Sequence, residues 1–532
     1  MNANLSITRQ LRRNMTLDIR YVGAFQRRED TTFDVNAFNV FYNRELFQAL
    51  VDARAGKDPL LFDQMFAGLD LHGAAGTGYG PVGTVVNGVY QTGAAHLRRN
   101  ATFTTSLANG NFVSLVNALY NLSSTSSTTT GLLQALPAGL AGVNGRIQRN
   151  GCDRMANGFS FVQQTAPNVF TSGFNAANAT PLRCFPEDYM ITNPQFSTIQ
   201  GGATGAMLHT NKGRNNYNAL QTELTLRPTQ GTSFQATYAW DKIMDFPPPY
   251  FNPTTFVDPK KPGNEYVLNW ATTAHELRIN GTFELPIGPN RLLFSKSSGW
   301  VARVLEHWSV SVIERNTSGL PRDAYGAQMM FRGGGGDRPY PRPDIIGPWV
   351  KPDLAPTWIG NNGWIYGSPD KYSNFRDPQC TNNVGNGRIA SNPDSGTGAG
   401  QFDFSASCTL TGLAAIVPQG TPGAYAVLDA SGNPTGRYAV NVLQNSMPGT
   451  QGNFPHSKLQ LPRRQTLDAN LSKSFRVRED KVLQFRMDAT NVLNHANWGE
   501  PTFNIQSANF GRATGKGSPG NRVLQAQVRF MF

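Results

Sequence analysis

Residues 216–245 read "NYNALQTELTLRPTQGTSFQATYAWDKIMD". Leu220, Thr222, Leu224 and Leu226 alternate with Gln221, Glu223, Thr225 and Arg227. Pro228 to Gly231 supplies a tight turn, and Phe234, Ala236, Tyr238 and Trp240 then alternate with Ser233, Gln235 and Thr237. A period of two on both sides of a short turn predicts one long antiparallel hairpin with an apolar and a polar face.

The same alternation recurs along the chain. Met15, Leu17, Ile19 and Tyr21 oppose Thr16, Asp18 and Arg20, and Leu277, Ile279, Phe283 and Leu285 oppose Arg278, Asn280, Thr282 and Glu284. Trp308, Val310 and Val312 form a weaker copy. Leu467, Ala469, Leu471 and Phe475 lead through a charged turn to Leu483, Phe485, Met487 and Ala489. The chain ends on "RVLQAQVRFMF", with Leu524, Ala526, Val528, Phe530 and Phe532 on one parity and no polar tail behind them.

Alternation alone also fits a soluble sandwich, whose apolar face is a core. Three features favour a membrane wall. The strands run to about ten residues, the length a tilted strand needs to cross hydrocarbon. Aromatic residues on the apolar parity, Tyr21, Tyr238, Trp240, Trp308 and Phe475, lie near strand ends, where interfacial girdles sit. Connections alternate between short and very long, as periplasmic turns and outer loops do. The expected fold is therefore all-β, a transmembrane antiparallel β-barrel.

With the C-terminus periplasmic, the turns at residues 12–13, 228–231 and 476–480 and the link 287–304 fall on the periplasmic side. Residues 25–215, 243–271, 318–463 and 491–520 fall outside. "RELFQALVDARAG" and "NFVSLVNALYNL" in the first outer segment have helical apolar spacing, and "NLSSTSSTTTG" reads as a low-complexity linker.

Composition agrees. The 532 residues include 54 Gly and 32 Phe, with only 15% charged. The formal net charge of +12 is dispersed rather than gathered into Lys/Arg runs, so a nucleic-acid partner is not expected. No stretch of about 18 apolar residues predicts a spanning helix, and the first residues carry no secretory signal pattern. Cys152 with Cys184 and Cys380 with Cys408 sit in Gly/Asn/Ser-rich outer segments. Their spacing matches no zinc template, and two local disulfides in an oxidising compartment are the preferred reading.

No segment predicts catalysis or a cofactor. The glycine run in "FRGGGGDRP", residues 331–339, lacks the Lys-Ser/Thr of a phosphate loop. The seven histidines have no metal-ligand spacing. Asp18, Glu223, Glu284, Asp468 and Asp488 are expected to pair with Arg20, Arg227, Arg278 and Arg486 as the polar lining of a lumen.

The hairpin 216–245, "HELRINGTFELPIG" with "GWVARVLEHWSVSVI", and the ending "DATNVLNHANWGEPTFNIQSANFGRATGKGSPGNRVLQAQVRFMF" resemble the C-terminal barrel region of Oar-like TonB-dependent transporters. The likeness runs from "ANLSITRQLRRNMTLDIRYVG" through "FPEDYMITNPQF" to the last residue. It implies a monomeric receptor barrel among the lipids of the cell outer membrane, taking up a large or scarce solute. It also implies that Phe532, with Phe530 and Val528 behind it, is the signal read by the barrel assembly machinery.

Such barrels have about 22 strands around a plug that contacts TonB. Here the alternation predicts roughly nine strands and neither plug nor signal peptide, so residues 1–532 read as a C-terminal portion of the barrel. TonB coupling would then act through a plug outside this chain. A passive pore or adhesion barrel is the alternative; a soluble secreted glycan-binding β protein is a third reading. No residue stands out as a contact for the solute.

Overall fold

In a computed structural model the chain is described over residues 1–34, 40–65, 80–120, 207–246, 266–327, 342–349, 371–380 and 404–532. Residues 42, 81, 230, 430, 479, 480, 514, 516, 518 and 519 are excepted, and the short strands 163–164, 182–183, 356–358 and 364–366 are added. The apolar-polar alternation becomes one large antiparallel sheet. Its main strands are β1 Asn2–Arg12, β2 Met15–Asp34, β3 Met207–Thr229, β4 Thr232–Phe246, β5 His275–Glu284, β6 Trp308–Thr317, β7 Arg464–Arg478, β8 Lys481–Thr490 and β9 Val523–Met531. They pair in sequence order, and a two-residue strand, Val267–Leu268, joins β4 as the tenth member. Among the described residues the sheet is open: β1 and β9 each have one neighbour.

A meander places every second connection at the same end. The β1–β2, β3–β4 and β7–β8 connections are short, since the flanking strands need no crossover, and in the β3–β4 connection Gly231 takes φ +77°, a backbone conformation that favours glycine. The β5–β6 link at this turn end is longer and carries a short helix, α6, over Gly299–Leu305. The C-terminal end of β9 reaches the same end. All the long segments leave from the opposite, loop end.

The β2–β3 ribbon extends further than the alternation suggested. Thr31 pairs with Thr210 and Asp34 with Met207 beyond bulges at Arg27/Glu29 and Glu29/Thr31. The first outer segment therefore begins after Asp34 and ends before Met207, not at 25 and 215. Backbone pairing needs no apolar side chains once the strands have left the apolar layer, so the periodic signal fades before the ladder does.

The loop end carries a folded cap. Five short helices, α1 Arg44–Arg54, α2 Leu60–Met65, α3 Gly93–Arg99, α4 Thr104–Ala108 and α5 Phe112–Tyr120, enclose Leu46, Leu50, Phe62, Leu97, Phe103 and Phe112. The two helical stretches expected from the sequence correspond to α1 and α5. Asn43 caps α1 by accepting from the Leu46 N–H at 3.0 Å, and Thr92 caps α3 through the Ala95 N–H at 3.1 Å. A second core joins Ala324, Leu413, Leu443 and Phe454 of the β6–β7 segment to Phe503 and Phe510 of the β8–β9 segment. It lies beside a sheet in which Pro434–Gln444 pairs with Thr411–Val417, which in turn pairs with Tyr372–Arg376.

Arg54 and a disulfide tie the cap together. Cys380 and Cys408 are bonded, with Cα atoms 5.5 Å apart, and both lie in the helical core. Cys152 and Cys184 lie outside the described residues. The fully buried Arg54 donates from Nε to the Ala108 carbonyl at 2.9 Å and from Nη1 to Gln379 Oε1 at 3.4 Å. Burial lowers its guanidinium to about 10 while the Asp377 charge acts in the opposite sense, so it stays charged at neutral pH. Asp377 is itself held by the Gln379 N–H, the Asn445 N–H and Asn445 Nδ2, each at 2.9 Å. Arg54→Leu should leave these acceptors facing an apolar side chain and destabilise the cap by about 3–5 kcal/mol. Limited proteolysis of the folded protein should show faster cleavage in the cap, with the strands of the large sheet still protected.

Candidate functional site

Among the described residues no second layer covers the apolar face of the sheet, so that face must meet something other than water. On that face the register aligns Tyr21 with Leu220, Leu220 with Trp240, and Trp240 with His275. Nearer the turn end it aligns Leu226 with Phe234, Val310 with Leu471, and Leu483 with Phe530. Many of these side chains are exposed, among them Ile19, Tyr21, Trp240, Phe485, Val528 and Phe530. The face is broken at a few charged positions, Arg9, Glu314 and Lys473, and an apolar surface of this extent suits hydrocarbon.

The predicted aromatic residues divide between two levels. Tyr21, Tyr238 and Trp240 lie well inside long strands and mark the outer border of the apolar band. The two tyrosine hydroxyls find polar partners there: Tyr21 donates to Asn218 Oδ1 at 2.8 Å, and Tyr238 Oη lies 2.8 Å from His275 Nδ1. A ring in lipid with its hydroxyl at a polar row is the arrangement an interface favours. Trp308 and Phe475 lie at the turn end. Trp308 donates its indole N–H to the Val304 carbonyl of α6 at 2.9 Å, and Phe475 meets Phe485 edge-on at 5.8 Å between centroids. On β9 Val528 pairs with Phe485, and the Phe530 and Phe532 rings stand 6.0 Å apart at the final turn of the wall.

The opposite face is polar across all nine main strands. Thr8 donates to Asp18 at 2.7 Å, Gln235 to Glu223 at 2.8 Å, and Asn470 to Asp488 at 2.9 Å. Glu276 receives Arg278 at 2.6 Å and Arg315 at 2.7 Å, which holds its carboxylate between two cations. Of the expected ion pairs, Asp18 meets Arg20 at 3.7 Å and Asp488 meets Arg486 at 2.8 Å. Glu284 instead takes Arg291 of the β5–β6 link at 2.8 Å, and Asp468 accepts the Asn491 N–H at 2.8 Å. Side-chain reach and cross-strand register select these partners, and neither is visible in a list of inward charges.

At the loop end, Arg322 joins three outer segments. It donates to Glu500 at 2.6 Å and to the Trp270 carbonyl at 3.0 Å, with its guanidinium 5.0 Å from the Trp270 ring centroid. Burial raises the pKa of the Tyr372 hydroxyl, which packs among Trp349 and Phe510 in the cap. Among the described residues no three His, Cys, Asp or Glu side chains come together as a metal set. The arrangement is suited to partition between two media: one apolar face, one polar face and a folded cover at the loop end.

Sequence reasoning missed Lys473. It occupies the apolar parity between Leu471 and Phe475, is only 2% exposed, and donates to the Arg303 carbonyl at 2.7 Å and to the Glu306 carbonyl. A lysine interrupting an apolar row was the available signal.

A family model described as "outer membrane beta barrel domain" matches residues 1–525. No curated protein matches the chain. Among solved structures, the chain aligns with BauA, the ferric preacinetobactin receptor from Acinetobacter baumannii, at 11% identity and a TM-score of 0.10. That alignment covers 60% of this chain and 56% of the receptor, so the chain spans little more than half of that protein's length. A TM-score this low carries no argument about the fold.

The two faces of β6 make the partition testable with neighbouring residues. Val312→Arg, on the apolar face, should destabilise the folded wall by about 2–4 kcal/mol in lipid. Ser311→Arg, on the polar face, should change it by less than about 1 kcal/mol. Urea unfolding of the protein in lipid vesicles measures both.

Proposed function

We propose that this chain, which belongs to the outer membrane beta barrel domain family and lies in the cell outer membrane, is the wall and outer cap of a TonB-dependent receptor. The receptor takes up a solute too large or too scarce for general pores. The observation that carries this reading is the pairing of a continuous polar face with two wall strands, β1 and β9, that each have a single neighbour.

An exposed strand edge in hydrocarbon leaves backbone N–H and C=O groups unsatisfied, so the wall must gain further strands before it closes. Barrel diameter grows with strand number, so the reading requires that many further strands close this wall, enough to enclose a lumen that holds a plug. The Oar-like resemblance of the hairpin 216–245 and of the last strand supports the same assignment. The reading requires a plug within the closed wall, on which TonB acts. The cap, with its own cores and a disulfide between Cys380 and Cys408, is the surface that first meets the solute.

Val528, Phe530 and Phe532 take the role of the assembly signal. Phe532→Ala should slow insertion by the barrel assembly machinery, read in a pulse-chase as a longer-lived protease-sensitive form. Unchanged kinetics would remove that role.

The uptake reading is tested on the protein purified from the source bacterium's outer membrane. Peptide mapping should recover plug sequence joined upstream of Met1, and the purified receptor should be electrically closed in a planar bilayer. A product beginning at Met1 with steady ion conductance would instead establish the passive pore.

A further inference from the structure

The β5–β6 link exposes a run of large apolar side chains at the turn end. Leu292, Leu293, Phe294 and Trp300 are 83%, 53%, 63% and 77% exposed. Val301 and Val304 of α6 are also exposed, whereas Ala302 is buried against the protein. Lys296 and Arg303, within the same segment, are exposed and make no ion pair among the described residues.

The link is not a free loop. Lys473, on the apolar face of β7, holds the Arg303 and Glu306 carbonyls at the end of α6, and its Nζ lies 4.6 Å from the Phe475 ring centroid. Trp308 fastens the Val304 carbonyl from the neighbouring strand. On the other side, Arg291 is paired with Glu284, a residue of the polar face. The link therefore passes from the lumen side of the wall to its lipid side, and α6 is clamped where the apolar face reaches the turn end.

We propose that residues 292–304 form a foot that lies in the headgroup layer of the periplasmic leaflet, with Lys296 and Arg303 binding phospholipid phosphate. Two arguments select this occupant. The exposed apolar side chains continue the lipid-facing surface of the wall, so the same bilayer reaches them. The short-turn end of an outer-membrane barrel is its periplasmic end, and cations beside an apolar helix face at an interface match anionic headgroups. Lys473 is a positioning residue: its ammonium satisfies the helix-end carbonyls that water would otherwise claim. The inference rests on the membrane location of the wall and not on energy coupling or the solute.

The test uses the full protein in vesicles of phosphatidylethanolamine and phosphatidylglycerol. An environment-sensitive fluorophore is attached at Leu292→Cys, Val301→Cys or, as a wall control, Leu277→Cys. Brominated lipids should quench the control and both foot positions, the foot most strongly with bromine near the headgroup. A quenched control with water-exposed foot positions overturns the proposal. If none of the three is quenched, both the foot and the membrane wall beneath it are overturned.

A second measurement reads the cations. Lys296→Gln with Arg303→Gln should reduce the phosphatidylglycerol retained by the purified protein by about five-fold or more. Both side chains are exposed, so folding should be unchanged. Equal retention by variant and parent overturns the phosphate role. Free inorganic phosphate competing as well as the lipid would assign the site to a soluble anion and overturn it too.

Discussion

Every backbone N–H and C=O in hydrocarbon must find its partner inside the protein, and this constraint organises the whole chain. It requires an antiparallel ladder, and the ladder brings neighbouring strands into a fixed register. Leu220 faces Trp240 because Glu223 faces Thr237 three residues away, and a slip of one residue would turn every polar side chain toward lipid. The meander follows from the same need, since only neighbours in sequence can be joined by turns as short as the one through Gly231. The tight turns gather at one end, and the long segments are left to fold at the other.

That division separates two kinds of stability. The wall relies on paired backbone and a lipid-facing surface, with few buried side chains of its own. The cap is built like a soluble domain, with cores around Phe62 and Phe112 and around Phe454 and Phe510. It is fastened by the buried Arg54 and by the Cys380–Cys408 bond. By the chain-entropy estimate, a cross-link spanning 28 residues contributes roughly 3–4 kcal/mol. Arg322 connects the segments at the rim, so movement of one outer segment is felt by the others.

The wall was legible in the sequence because its period is two and short polar or Gly/Pro-containing stretches separate the periodic runs. The hairpin 216–245, the last strand and the order of all nine main strands follow from that pattern. The polar outer reach of β2 and β3 did not, since pairing there continues without apolar residues. Helices α1 and α5 show helical spacing, but α2, α3 and α4 are too short for a periodic signal and are held by the core they share. The ion pairs were half legible: charges on one parity were evident, but Arg291 as the partner of Glu284 comes from a link with no period at all. Lys473 was hidden by a reading that skipped the one charged residue in an apolar row.

The central claim is that one face of the sheet meets lipid and the other meets water. Nitroxide scanning along β4, from Ser233 to Trp240, in membrane-inserted protein tests it most directly. The expected result is a period of two: labels at 234, 236, 238 and 240 are relaxed by oxygen dissolved in lipid, and those at 233, 235, 237 and 239 by a water-soluble nickel complex. Labels of both parities responding to the aqueous reagent alone would contradict a membrane wall.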